Sequence, residues 1–381
     1  MGLRIESVQT FEELDNYAET WDLLALNAPR QHPVLTHAWI SAYLKTSMPT
    51  GESWFCLFAF DEQELVGVLF LLSKETRFFG RTCLLLQTPK HPHTKWLDFL
   101  VKEQYENRVI QLFADYLNEL RPKVLRLTMS QVADYSPTIG ILKNGIRGLH
   151  PYFQPHGCES VIPVEDSFDN YKKGLPNKLK GNLRRSNNSL KKLGSCNVIV
   201  IREDSDAREE LLRFAGIEGS GWKGVAGTAI KYKFQEFFEQ LVQNMGHKNW
   251  LQWYFLESEN RRIAGYLVIP FGRSAIILKT GYDEEYKTLS PGAVLTEKMI
   301  EHIFSTGDYD VINFLTDYKW LLRWNVEQNQ YYRIVIGFDN RFSLFSTRII
   351  HSVYEKIPLV KKLRQDSFRP VLNLVRNRQR K

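Results

Sequence analysis

Ser290-Pro291-Gly292 stands between two apolar runs, and its residue types suit the start of a helix. Ser290 can cap, Pro291 fits the first helical position, and Gly292 leaves the backbone bare. Apolar residues at Leu295, Met299, Ile300, Ile303 and Phe304 then mark one helical face. A strand is expected before this helix, over 275–280, and another after it, over 311–315. A helix N-terminus that follows a strand presents free N–H groups and the positive end of a dipole. That is an anion site of a size for pyrophosphate. An ordinary strand-to-helix turn has the same local pattern, so the chemistry needs further residues.

Three other groups qualify. Asp317-Tyr318-Lys319 puts a carboxylate, a phenol and an ammonium directly after the second strand. A helix cap by Asp317 with a surface Lys319 is the bland alternative. Gly219-Ser220-Gly221-Trp222-Lys223-Gly224 has the glycine spacing of a dinucleotide loop, but it follows a helix (206–218), not a strand. A mobile loop presenting Trp222 as a stacking face and Lys223 as a point charge is expected instead; a packed Trp in a structural loop is its rival. Residues 172–192 carry eight Lys/Arg and no acid, more bias than solubility requires, which points to an anionic partner. No stacking aromatics accompany them, which argues against nucleic acid. His91 and His93 lack a third ligand and read as a solvated loop, so no metal site is expected.

The elements that must position these groups occur in two similar series. Helices are expected over 11–27 and 37–46, a hairpin over 54–60 and 65–73, strands over 82–87 and 96–101, a helix over 107–120 and strands over 124–129 and 152–164. The second series has helices over 169–193 (interrupted at Pro176), 206–218 and 234–244, a strand at 197–202 and a hairpin over 250–257 and 262–271. The strand, Ser-Pro-Gly helix and strand follow, and 331–337 is a last strand. Hairpin, strand, helix, strand therefore occurs at 54–129 and again at 250–315, but only the second copy carries the Ser-Pro-Gly turn.

Composition narrows the setting. The 381 residues suffice for two domains or one large one. Cys56, Cys83, Cys158 and Cys196 are scattered, so neither a disulfide framework nor a zinc site is expected, and a cytoplasmic location is. No signal peptide pattern is seen at the N-terminus, the myristoylation motif fails at Glu6, and the apolar run 65–72 is far too short to span a bilayer. Net charge is +7, but residues 341–381 hold eleven Lys/Arg against two acids, so the preceding 340 residues sum to −2.

The order hairpin, strand, loop, helix, strand resembles the GNAT acyltransferase superfamily, whose phosphate loop reads Gln/Arg-x-x-Gly-x-Gly/Ala. Lys287-Thr288-Leu289-Ser290-Pro291-Gly292 occupies that place, with Lys287 for Arg or Gln and Ser290 for the first glycine. Asp283-Glu284-Glu285-Tyr286 is similar to the acidic–aromatic lead-in. Over roughly 160–325 the chain resembles double-GNAT proteins of the BioF-like or CelD type, related to Fem-type aminoacyltransferases. The residues that carry this are Lys178-Leu-Lys-Gly-Asn-Leu-Arg-Arg185, Glu218-Gly-Ser-Gly-Trp-Lys-Gly224, Ile263-Ala-Gly-Tyr266, Lys279-Thr-Gly-Tyr282, Ser290-Pro-Gly292 and Asp317-Tyr-Lys319.

The resemblance implies an α/β (α+β) fold of tandem GNAT-like acyltransferase domains, each a mixed, mostly antiparallel sheet flanked by helices. A degenerate domain is expected over 1–160, a catalytic one over 161–340 and a basic amphipathic tail over 341–381. It implies acetyl-coenzyme A as co-substrate, with no permanently bound cofactor, held by Leu278, Thr280, Lys287, Ser290, Gly292 and Ala293. An amine acceptor, on a sugar or other cell-envelope or polysaccharide precursor, would meet Trp222, Lys223, Arg184, Arg185 and Tyr282. Asp317 would be the base, Tyr318 the acid for the leaving thiolate, and Lys319 the support for acceptor or oxyanion. Two rivals stay open: an aminoacyl-tRNA-dependent transferase, whose basic surfaces bind tRNA, and a non-catalytic scaffold. The tail suits either an anionic membrane surface, on the inner face of the membrane, or docking on the body.

Overall fold

A computed structural model of the chain describes residues 2–202, 207–227 and 230–356. Its strands form one 13-stranded mixed sheet. The first series begins with β1 (Arg4–Val8), α1 (Phe11–Asp15), α2 (Ala18–Asn27) and α3 (His37–Ser47). Next come β2 (Ser53–Asp61), β3 (Glu64–Phe78), β4 (Arg81–Gln87), the two-residue β5 (Leu100–Val101), α4 (Glu106–Glu119) and β6 (Val124–Ala133). β2 and the first half of β3 are near-continuous apolar runs because both faces are covered. Phe58 and Phe70 face α2 and α3, while Leu57 and Leu69 face α4. α4 closes directly on the sheet at Gly67, where a Cβ would lie 2.4 Å from Val109 Cγ1. After α5 (Pro137–Asn144) comes the long β7 (Leu149–Pro163).

The second series runs α6 (Phe168–Gly174), α7 (Asn177–Leu193), β8 (Cys196–Ile201), α8 (Ala207–Gly219), α9 (Trp222–Val225), α10 (Ile230–Lys233) and α11 (Gln235–Gly246). It continues with β9 (Gln252–Ser258), β10 (Arg261–Phe271), β11 (Ser274–Tyr282), α12 (Pro291–Thr306), β12 (Val311–Asn313), β13 (Glu327–Phe338) and α13 (Arg341–Lys356). The two copies share one pairing scheme. β2–β3–β4 and β9–β10–β11 are antiparallel, then β4–β6 and β11–β12 are parallel.

The strands after each copy are exchanged. β7 pairs with β12 of the second copy, and β13 pairs with β6 of the first. β7 and β13 also pair with each other, which joins the two halves into one sheet. Three cores result: one under α4, one under α7 and α12, and a third that α3, α8 and α11 share across the seam.

Several expectations change. The helix over 11–27 breaks at Asn16–Tyr17, and the strand over 96–101 shrinks to β5. β1 and α5 were not anticipated. His91 and His93 are not solvated: both rings pack against Phe234 and Phe237 around α11, and His93 also meets Phe238. Burial lowers the His91 pKa to about 4 and that of His93 well below its ordinary value, so both are neutral.

Candidate functional site

β11 and β12 pair only over Ser274–Val311, Ala275–Ile312 and Ile276–Asn313. β12 then ends, while β11 runs on to Tyr282. A notch therefore opens beside the C-terminal half of β11. A bulge lies at its start: Leu267 pairs with Lys279 but Val268 with Ile277, so Leu278 is the extra residue. A bulge re-aims the side chains beyond it. Leu278 packs into the core shared with α8 and α11, and Lys279 follows to that same side, its ammonium 5.2 Å from the Phe238 ring centroid.

Past β11, Asp283 caps a short 3-10 helix, Glu284–Leu289, by accepting from the Glu285 N–H at 3.1 Å. This turn sets up α12. The Ser290 N–H donates to the Lys287 carbonyl at 3.1 Å, and Ser290 is left-handed (φ 52°). Its hydroxyl makes no capping bond, contrary to expectation, because that backbone turns the side chain away from the first helical amides. The Ala293 and Val294 N–H groups both donate to the Ser290 carbonyl, at 3.0 and 3.2 Å. Of the three amides expected to face a pyrophosphate, those of Ser290 and Ala293 thus already have partners within the chain. Tyr266 reaches from β10 to the first turn, its hydroxyl 2.6 Å from Thr296 Oγ1 and 3.3 Å from the Gly292 carbonyl.

A charged group fills the side of β11 next to the notch. Glu218, 2% exposed at the end of α8, accepts from Lys223 Nζ at 2.8 Å and Lys279 Nζ at 3.2 Å, and from the Ile230 N–H at 3.0 Å. Lys223 also donates to the Thr280 carbonyl at 2.7 Å. Burial pushes the Glu218 carboxyl up, but the two ammoniums and the amide outweigh it and hold its pKa below the ordinary value. Burial lowers the Lys279 pKa, against the pull of Glu218. α8 comes this close because β11 has Gly281, where a Cβ would lie 3.1 Å from Glu218 Cα.

Asp317, Tyr318 and Lys319 are exposed beyond the end of β12. Asp317 caps no helix; the next turn, Leu321–Trp324, starts from Trp320. The Asp317 charge acts on Lys95, from the loop after β4: burial lowers the Lys95 pKa and Asp317 opposes the drop.

Residues 177–321 match the acetyltransferase (GNAT) domain, which spans the strands, the turn and the notch just described. This stretch carries a GNAT-type acetyltransferase domain. The fold of the chain is similar to that of FemX over 86% of this chain and 96% of that one, with TM-score 0.58 and 11% identity. It is also similar to a protein of unknown function from Bacteroides thetaiotaomicron, over 87% and 99% of the two chains, with TM-score 0.56 and 11% identity. Such low identity speaks for the fold alone. No curated protein matches the sequence.

In this GNAT frame the expected residues fall into separate places. Leu278 and Thr280 line β11, half-buried, and Lys287 and Ser290 are exposed at the turn before α12, with Gly292 and Ala293 in its first turn. Tyr282 stands beside that turn, its ring 3.4 Å from where a Gly292 Cβ would be. Lys223 is committed to Glu218 rather than free in a loop, and 222–225 is helical. The Trp222 side chain lies outside the described residues. Arg184 and Arg185 are exposed on α7, which packs on α12 through Leu179, Leu183 and Leu190 and is tied to it where Asn187 meets Glu297 at 3.1 Å; Lys172 of α6 meets the same carboxylate at 2.9 Å. Among the described residues no cluster of three His, Cys, Asp or Glu is placed to hold a metal.

The ion group itself was missed. Leu211, Phe214, Ala215 and Glu218 share one helical face, so the spacing put a carboxylate on the buried stripe of α8. That signal was available; the bulge that delivers Lys279 was not.

Proposed function

We propose that this protein transfers an acetyl group from acetyl-coenzyme A to an amine on a sugar or other cell-envelope or polysaccharide precursor. The observation that carries this reading is the notch: β11 loses β12 as a neighbour after Ile276, and α12 begins at the far end of the opened strand. An extended thioester lying along β11, past Leu278 and Thr280, would bring its phosphates to Lys287, Ser290, Gly292 and Ala293. Asp317 takes a proton from the acceptor ammonium. The free amine attacks the thioester carbonyl carbon, forming C–N, and the tetrahedral oxyanion is supported by Lys319. Collapse breaks C–S, and Tyr318 protonates the departing thiolate. Trp222, Tyr282, Arg184 and Arg185 are the residues we assign to the acceptor, with Lys223 held beside β11 by Glu218. The catalytic unit is 161–340, 1–160 is its degenerate partner, and 341–381 holds the protein to the anionic inner face of a membrane from the cytoplasm.

A second reading has one observation behind it. The amides of Ser290 and Ala293 already bond to the chain's own carbonyls, which leaves fewer donors for a pyrophosphate and favours a charged tRNA as donor, held by the basic face of α7. Calorimetry separates the two. Acetyl-coenzyme A should bind the wild-type chain, and Gly292→Val should lose that binding with an unchanged melting temperature. Equal binding by both proteins would place the donor elsewhere; binding of aminoacyl-tRNA alone would select the second reading.

A further inference from the structure

α13 fully buries hydroxyl side chains against the sheet and leaves part of its apolar surface exposed. The side chains it buries are Ser343, Ser346 and Thr347. Ser343 Oγ accepts from the Phe338 N–H at 2.8 Å, Arg126 of β6 donates to Ser346 Oγ at 3.4 Å, and Thr347 Oγ1 donates to the Ser343 carbonyl at 2.8 Å. The helix sits so low that a Cβ on Gly337 of β13 would lie 2.8 Å from Thr347 Oγ1. Phe342, Leu344 and Ile350 are half-buried, and the outward face carries three further apolar side chains: Phe345 is 49% exposed, Ile349 44% and Val353 49%. These three recur every fourth residue, so they form a stripe.

The stripe continues onto another element. Phe79, at the tip of the β3–β4 turn, is 71% exposed, and its ring centroid lies 6.0 Å from that of Phe345. Phe79 holds φ 47°, a backbone that large side chains rarely adopt, and it is followed by Gly80. Among the described side chains, several cations stand around this patch. Arg341 and Arg348 flank the stripe on α13, and Arg81 lies 5.1 Å from the Phe342 ring centroid. Lys74 shares the Phe78 face of β3, while Glu75 alternates to the other side. In sequence, residues 357–381 then add eight Lys/Arg against one Asp.

We propose that Phe79, Phe345, Ile349 and Val353 form an insertion face that seats the protein on an anionic lipid surface, with the cations as its rim. This rests on the membrane reading of the 341–381 tail and adds to it a defined patch and a second element, the β3–β4 turn. The charge pattern selects the partner: an apolar centre ringed by arginine matches acyl chains beneath anionic headgroups, whereas a second copy of the chain would bring a like-charged rim. Insertion on this side would also leave the notch, in the other half of the sheet, open to its substrates.

The experiment is vesicle co-sedimentation of the full chain. Wild type should bind vesicles of phosphatidylglycerol and phosphatidylcholine, and hardly bind phosphatidylcholine alone. Salt should weaken but not abolish binding, since exposed charges are screened over about 3 Å at 1 M while apolar insertion persists. The triple variant Phe79→Ser, Phe345→Ser, Ile349→Ser should bind at least about tenfold more weakly and lose the salt-resistant part, with an unchanged melting curve. A second variant, with Arg376, Arg378, Arg380 and Lys381 all changed to Gln, reports on the tail. If it loses binding while the triple variant keeps it, the tail binds lipid without the patch and the insertion face is overturned. If wild type never binds, both fall. Equal binding to neutral vesicles, or conversion of a wild-type dimer to a monomer by the triple variant without lipid binding, also overturns it.

Discussion

The two copies of the strand–helix–strand unit share pairing and differ in whether they open. In the first, β4 meets β6 along its C-terminal end, from Leu84–Val124 to Gln87–Thr128. Thr88 extends the closure, its N–H bonded to the Thr128 carbonyl and its hydroxyl accepting from the Ser130 N–H, each at 3.0 Å. In the second, β11 meets β12 only at its N-terminal end. The helices differ in the same sense. α4 closes on Gly67 and carries Glu106 in its first turn, which repels an anion; α12 is met by Tyr266 and has no acid there. One topology thus yields a sealed wall and a cleft, and the choice rests on where two parallel strands stop pairing. If the cleft is the reactive one, damage there should stop turnover, and damage at the matching place in the first copy should not.

The largest effect expected is at Asp317. Asp317→Asn keeps the shape and removes the base, so turnover should fall by about 10²- to 10⁴-fold with donor binding little changed. Asp134, just past β6 in the first copy, bonds only to its neighbour strand, accepting from the Gln330 N–H at 3.1 Å. Asp134→Asn should leave turnover within about twofold. Steady-state rates of both variants, measured together with binding, test the asymmetry; a fully active Asp317→Asn would move the base elsewhere, with Glu218 next in line.

Glu218 gives the next effect, on stability. Glu218→Gln leaves Lys223 and Lys279 without a counter-charge in a buried place, at a cost of about 3–5 kcal/mol. The sign with pH follows from the depressed pKa of Glu218. Its contribution is full above the ordinary glutamate value of 4.5 and is lost as pH falls through the lower folded value. The gap in melting temperature between wild type and variant should therefore be widest near neutrality and narrow on acidification below 4.5. A gap that stays constant with pH would mean that packing, not charge, holds α8 to β11.

What the chain reveals before folding follows physical range. Hairpins, α4, α7 and α12 are written in local periods of two and 3.6, and they are where the sequence puts them. β13 is legible as a strand, but its place between β6 and β7 is not: its partners lie up to some two hundred residues away, and its alternation fits any sheet edge. The same range hid the histidines, whose covering aromatics come from α11 and the residue before it. Glu218 was readable from its helical face. Lys279 was not, since strict alternation assigns it to the opposite side and only the bulge at Leu278 turns it toward Glu218.

Ser290 combines both outcomes and carries the smallest effect. The residue types located the helix start correctly, yet the capping role fails because the preceding 3-10 turn draws Ser290 into the left-handed region. A serine there holds a strained backbone without a capping bond in return. Ser290→Gly should relieve the strain, offset by the greater freedom of glycine in the unfolded chain, for a net gain of a few tenths to about 1 kcal/mol. In a protein of this size that is about 1–2 °C in melting temperature. Ser290→Val, β-branched at the same φ, should lose about 1–2 kcal/mol. The comparison sharpens if Ser290→Gly also keeps or improves donor binding, since the opening of α12 would then depend on backbone shape, as the contrast with the α4 end requires. A destabilised Ser290→Gly, measured by thermal melting, would show that the serine hydroxyl holds the turn in solution and that the left-handed backbone stores no strain for glycine to relieve.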